Sequence, residues 1–250
     1  MKTLGVDLAA DPKRTAAAVL EWRDGQARLV HLSLGARDET VVELFGASEV
    51  TGIDCPLGWP QPFLSFLLGH SREDPDAVLR HDGLDGRREL AYRATDRFVT
   101  HTTGLIPLSV SADRLAHPAM RCAVIQAKIA RRWGVQPRDG TDRLVEVYPA
   151  ASLKIWGISA RRYKGRGTPE SEVRDDILGQ LTAAAPWLDL DAYRDQLIAS
   201  DDLLDSVIAS LTARAAARQA TLLPGPDQGV AAREEGWIHL PTGSLTKLNK

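Results

Sequence analysis

The chain has 250 residues, of which 44% are hydrophobic and 26% charged, with a formal net charge of -2. That is enough for a real core, and too little positive charge for a protein that grips duplex nucleic acid mainly through a basic surface. Two cysteines, Cys55 and Cys122, exclude a disulfide framework and a four-cysteine zinc site, so a reducing compartment is the default. No apolar run approaches the roughly 20 residues of a membrane helix. The apolar start is cut by Asp7 too early for a signal peptide. A cytoplasmic protein without a membrane segment is expected.

In chain order, residues 3–9 read as a strand with Leu4, Val6 and Leu8 on one face and Gly5 and Asp7 on the other. Residues 15–23 and 27–34 are further strands, joined by Asp24-Gly25, a strong hairpin signal because both turn positions favour positive φ. Asp38 is placed to cap a short helix through Val41, Val42, Leu44 and Phe45. Residues 49–55 give a fourth strand ending at Asp54, broken by Pro56, Gly58, Pro60 and Pro62. The stretch 63–118 is rich in Arg, Asp and His, with a helix near 86–100 and no clear strand. Residues 119–133 form a helix that Gly134 stops, and 143–148 alternate as a fifth strand before Pro149. Helical patterns cover 169–185, 190–199 and 201–219, and 235–241 is a late strand or a packing arm. The expectation is a single α/β domain over 1–250. Its mixed five-stranded sheet combines a three-stranded antiparallel meander with parallel strands and is flanked by helices. A helical insertion at about 63–140 separates strands four and five.

Several aspartates sit inside apolar segments. A carboxylate is costly to bury unless it is paired, hydrogen-bonded or bound to a cation. Asp7 lies between Leu4-Gly5-Val6 and Leu8-Ala9-Ala10, and Asp54 ends Val50-Thr51-Gly52-Ile53. Asp202 and Asp205 open the run Leu203–Leu211, spaced so that a helix puts both on one side. Two strand-end acids facing two helix acids make an all-oxygen site, suited to Mg²⁺ or Mn²⁺; two such ions can drive phosphodiester hydrolysis. Each acid also has a plain structural reading: Asp7 and Asp54 as turn formers, and Asp201 and Asp202 as helix-start acids. For Asp201 the cap is preferred.

Gly5-Val6-Asp7-Leu8-Ala9, Gly52-Ile53-Asp54-Cys55-Pro56-Leu57-Gly58, Arg93-Ala94-Thr95-Asp96, Glu146-Val147-Tyr148-Pro149, Asp202-Leu203-Leu204-Asp205-Ser206 and Glu235-Gly236-Trp237-Ile238 follow one another along the chain. Together, over nearly its whole length, they resemble the domain of unknown function 429 family, predicted nucleases with a ribonuclease-H-like fold. The Asp-x-x-Asp spacing also resembles that of Holliday-junction resolvases, which more often carry Glu where this chain has Asp54. The resemblance implies a ribonuclease-H-like sheet. In it Asp7 would bridge the metals, Asp54 would supply the fourth-strand acid, and Asp202 and Asp205 would complete the site.

Accessory candidates are Arg93 and Asp96, as an ion pair or with Arg93 turned to phosphate, and Glu146, as a further ligand or a structural acid. Lys164 lies in the basic run Arg161–Gly167, which reads as a flexible loop suited to a nucleic-acid backbone or as a solvated surface. Trp59 could stack on a base, though packing is favoured; the six His show no ligand spacing. The leading expectation is a metal-dependent nuclease acting on DNA or RNA with two Mg²⁺ or Mn²⁺ ions. The alternatives are a non-catalytic nucleic-acid or protein-binding module and, ranked last, an actin-like ATPase, since no Gly-rich phosphate loop is present.

Overall fold

A computed structural model describes residues 1–165 and 167–249. The chain opens with strands β1 (Lys2–Asp7), β2 (Ala16–Arg23) and β3 (Gln26–Leu34), then helix α1 (Asp38–Gly46) and strand β4 (Val50–Asp54). Five helices follow: α2 (Gln61–Ser71), α3 (Pro75–Leu79), α4 (Gly83–Ala91), α5 (Ala94–Thr103) and α6 (Ala116–Trp133). Strand β5 (Leu144–Glu146) leads into α7 (Pro149–Ile155), α8 (Thr168–Ala184), β6 (Leu188–Asp189), α9 (Arg194–Ala199), α10 (Asp201–Ala217) and α11 (Gly229–Glu235).

The sheet runs β5-β4-β1-β2-β3-β6. β1, β2 and β3 are the expected antiparallel meander, while β4 lies parallel to β1 and β5 parallel to β4. Asp24 and Gly25 both have positive φ, 51° and 74°, as the hairpin turn requires. The sheet has six strands where the sequence predicts five, because the two-residue β6 pairs parallel with β3. A strand that short carries no periodicity to read.

Other elements depart from expectation for local reasons. The helix expected near 86–100 is two helices, broken at Tyr92-Arg93, whose extended backbone opens α5. Residues 61–71 and 149–155, not read as helical, form α2 and α7, each with proline in its first turn, where no donor is lost. Asp38 and Asp201 are first-turn residues and not caps. Arg37 occupies the cap position of α1 without a side-chain bond, and Ser200 caps α10 by accepting from Leu203 N. Asp38 instead pairs with Arg121 (2.8 Å) and Lys128 (3.2 Å) of α6. The 235–241 segment is a packing arm: Trp237 is fully buried, and Ile238 bridges Glu146 by a single parallel contact.

Strand alternation divides the core. Leu4, Val6 and Ile53 face a cluster with Val41, Phe45, Cys122 and Ile125 from α1 and α6. The opposite face of β1 and β4 receives α10, and it does so over glycine. Gly5 stands opposite Gly52 in the parallel register. A methyl carbon built on Gly5 would fall 1.9 Å from the Ser206 carbonyl oxygen, and one on Gly52 would fall 2.5 Å from that of Ala209. Ser210 Oγ donates to the Thr3 carbonyl at 2.8 Å. With Thr3 opposite Ser210 and Gly5 opposite Ser206, α10 runs antiparallel to β1, and its first turns lie over the strand's C-terminal end.

Arg93 ties the inserted helices to the sheet. It is buried, and its five N–H groups all donate: to both oxygens of Asp96, to both of Glu146 on β5, and to the Glu235 carbonyl of α11. Arg93 is thus the structural ion pair of the two sequence readings and has no donor left for phosphate. Glu146 is likewise engaged, accepting also from Leu57 N at 3.0 Å.

Two outcomes are expected. Gly5→Ala should cost about 3 kcal/mol or more in urea unfolding, since overpacking of a helix backbone cannot be relieved by a rotamer change. Arg93→Met should cost about 3–5 kcal/mol by leaving Asp96 and Glu146 buried without their cation; a loss below about 1 kcal/mol in either would contradict this packing.

Candidate functional site

Asp7 and Asp54 are the last residues of β1 and β4 and are directly opposed in register. They share strand parity with Gly5 and Gly52, so both carboxylates emerge on the face that α10 covers. The seating of α10 then brings Asp205, in its second turn, over the strand ends. Asp205 is 1% exposed, whereas Asp7 and Asp54 are partly exposed.

The electrostatics show that the acids have converged. Asp7 is pushed well above the usual carboxylate range by burial and then by the charges of Asp205 and Asp54. Asp54 is pushed up to about 7 by burial, with Lys164 opposing and Asp205 adding to the rise. Asp205 is raised by burial and held back by Lys164 and by the Tyr163 hydrogen bond. Asp202 stands at the rim, paired with Arg14 at 3.3 Å; burial and Asp201 raise it, and Arg14 lowers it. The sequence-predicted acids Asp7, Asp54 and Asp205 are therefore brought together, with Asp202 beside them. Glu146 reaches Asp54 by its field but is committed to Arg93.

Two neighbours were not singled out as a pair by the sequence. Tyr163 is buried and donates its hydroxyl to Asp205 Oδ1 at 2.7 Å, and Lys164 Nζ lies 2.8 Å from Asp205 Oδ2. The second contact is an ion pair without hydrogen-bond alignment, and Oδ2 accepts no hydrogen bond among the described residues. Lys164 acts electrostatically on all four acids. Burial alone would lower its pKa; Asp205 and Asp54 reverse that and raise it. The loop read as flexible is in fact anchored. Arg174, itself buried, donates to the carbonyls of Tyr163 (2.5 Å), Gly165 (3.0 Å) and Ile198 (2.6 Å). Arg161 and Arg162 are exposed, and Arg166 lies outside the described residues. Trp59 is half-buried in the proline-rich loop. Tyr148, the residue before α7, feels the acids too: burial and then Asp54 raise its pKa.

The donor chemistry fits a hard divalent cation: every candidate ligand is a carboxylate, and one buried oxygen lacks a hydrogen bond. In the present arrangement the Lys164 ammonium pairs with Asp205 instead. Among the described residues no three Asp, Glu, His or Cys side chains already stand in a metal-holding arrangement. Beside the acids runs a cleft of about 840 Å³ whose walls include Arg14, Arg114, Lys164, Ser200, Asp201 and Asp202. Another cleft, of about 1060 Å³, lies against Arg88, Tyr92, Arg97 and His101 and is lined by none of the four acids. Among the described residues no helix is long and apolar enough to cross a membrane.

The raised carboxyls set a pH dependence. In the unfolded chain they titrate near about 4; in the folded chain Asp54 titrates near 7. Between these values the folded state holds more protons, so stability is present at the acid end and lost as pH rises. In chelator, Tm should fall from pH 5 to pH 8, and Asp54→Asn should flatten that fall. An equally steep fall in the variant would contradict the repulsion described for Asp54.

Searches of curated proteins and of solved structures return no match. A family model does match residues 5–229, about nine-tenths of the chain, and spans β1, β4, the inserted helices and α10 together. The acids at the two strand ends and on α10 all lie within that match, and the chain belongs to the family described as "Protein of unknown function (DUF429)".

Proposed function

We propose that this chain is a divalent-cation-dependent phosphodiesterase acting on nucleic acid, a nuclease built on a ribonuclease-H-like sheet. One observation carries the reading: Asp7, Asp54 and Asp205, from three separate segments, meet at the C-terminal ends of β1 and β4, where Asp205 raises the pKa of both strand-end acids and Asp54 adds to that of Asp7. Acids held in mutual repulsion beside a cleft are costly unless a cation or a reaction uses them. The antiparallel meander with parallel β4 and β5 supports the ribonuclease-H-like reading, as does the helix-borne Asp-x-x-Asp pair.

Asp7, Asp54 and Asp205, with Asp202 at the rim, would hold Mg²⁺ or Mn²⁺, one ion or two. When bound, such ions supply Lewis-acid activation of water and charge stabilisation at the phosphoryl group. The chain's own residues do the rest. Asp7 and Asp54 are fixed by the β1–β4 register, and Tyr163 orients Asp205 through its short hydrogen bond. Arg14, Arg114 and Lys164 place positive charge along the adjoining cleft, where a phosphodiester backbone can lie. With a net charge of -2, attraction of nucleic acid depends on local basic groups such as these and not on the protein's overall charge.

A second reading has an observation of its own. Lys164 supplies Asp205 with a counter-ion from within the fold, which suits a non-catalytic binding module that keeps the sheet.

A panel of single-stranded, duplex, hybrid and branched DNA and RNA with Mg²⁺ or Mn²⁺ separates the two. The nuclease reading expects cleavage of at least one substrate class, abolished by chelator. Asp7→Asn should reduce the rate more than about 100-fold, and Tyr163→Phe by about 10- to 100-fold, the range for a group that orients a ligand. Undiminished cleavage by Asp7→Asn, or no cleavage of any polymer by the intact chain, would overturn it.

A further inference from the structure

Lys164 is an unusual partner for a buried acid. Asp205 is nearly inaccessible, yet the side chain of Lys164 is 54% exposed and enters from a loop instead of from the sheet or α10. Arg174 holds the backbone on either side of Lys164, at Tyr163 and Gly165. The long side chain can therefore turn away from Asp205 without unfolding the loop. Beside it is the cleft that Lys164 also lines, with Arg14 and Arg114 on its walls. The oxygen it faces, Asp205 Oδ2, is buried and has the Lys164 ammonium as an ion-pair partner without an aligned hydrogen bond. Tyr163 keeps Oδ1 occupied from the other side, so Oδ2 is the lone pair available to a cation.

We propose that Lys164 is an exchangeable internal counter-ion: its ammonium holds the cation position at Asp205 until a divalent cation binds there with Asp7 and Asp54, and then swings into the adjoining cleft. This rests on the reading of the acids as metal ligands and adds an order of events. Without metal the ammonium offsets part of the acids' charge and stays committed to Asp205, although its side chain already borders the cleft. With metal, the displaced ammonium faces the place where substrate phosphate would lie. Metal loading therefore precedes phosphate capture.

Two measurements on the full chain test it. Mn²⁺ binding to chelator-stripped protein is followed by calorimetry for the natural chain, Lys164→Met and Asp205→Asn. Removing a cation in direct contact with a ligand oxygen should tighten Mn²⁺ binding by about tenfold or more, whereas Asp205→Asn should weaken it. Equal or weaker binding by Lys164→Met overturns the exchange while leaving the acids as a metal site. Absence of Mn²⁺ binding in both the natural chain and Lys164→Met overturns the exchange and the metal-site reading together. If Lys164→Met does not fold, the second measurement decides. The natural chain is acylated with an amine-reactive ester with and without Mn²⁺, and labelling at Lys164 is compared by mass spectrometry with that at exposed Lys13. Mn²⁺ should speed labelling of Lys164 severalfold and leave Lys13 unchanged. Unchanged or slower labelling at Lys164 overturns the proposal.

Discussion

Everything at the site depends on how closely α10 can lie on the sheet. A helix packed on a sheet through ordinary side chains stands about 10 Å away, which would leave Asp205 far above the strand ends. Here the helix backbone rests almost directly on the strands, because Gly5 and Gly52 stand side by side in register and offer no Cβ. The helix answers with small residues, Ser206, Ala209, Ser210 and Ala213, all fully buried. Thr3, Ser210 and the Trp22 indole then link their polar groups in the tight interface, so close approach leaves none of the three without a partner. Two residues past each glycine, the strand carries an aspartate. The same parity that makes room for the helix thus points the acids at it.

Much of this could be read from the chain alone. The alternation of Leu4, Val6 and Leu8 with Gly5 and Asp7 already gives β1 its two faces, and Asp24-Gly25 fixes the first hairpin. Asp7, Asp54 and Asp205 stand out because their neighbours are apolar, and that local signal survives in the fold. What could not be read depends on distant partners. Lys164 looks like one more basic residue in an exposed loop until Arg174, ten residues further on, is seen to fasten the backbone around it. Arg93 and Asp96 at helical spacing are visible as a pair, but Glu146 and the Glu235 carbonyl, which complete the network, come from 53 and 142 residues away. β6 is two residues long and exists only because β3 offers an edge.

The two charged networks differ in kind. Around Arg93, one cation meets two carboxylates with every donor used, and the group is closed to solvent and to ligand. Around Lys164, one ammonium meets several acids, the geometry on Asp205 Oδ2 is poor, and the lysine side chain remains half in water. Arginine's rigid fork suits the first task and lysine's compact, flexible charge suits the second. The contrast is between a closed brace around Arg93 and an open, half-solvated ion pair at Lys164, the feature on which the proposed exchange rests.

The acids are also carried by elements that hold the core together. β1 and β4 are central strands, and α10 is packed across them with twelve buried residues between Leu203 and Ala215. No hinge or peripheral loop stands between the carboxylates and the hydrophobic interior. Any ion gathered by these side chains is consequently linked by mass action to the global folding equilibrium and not to a local opening. Under the metal-site proposal, the chain carries a standing cost of charge repulsion when ion-free and recovers it on loading, so the free divalent-ion level sets the stability of the whole fold as well as the occupancy of the site.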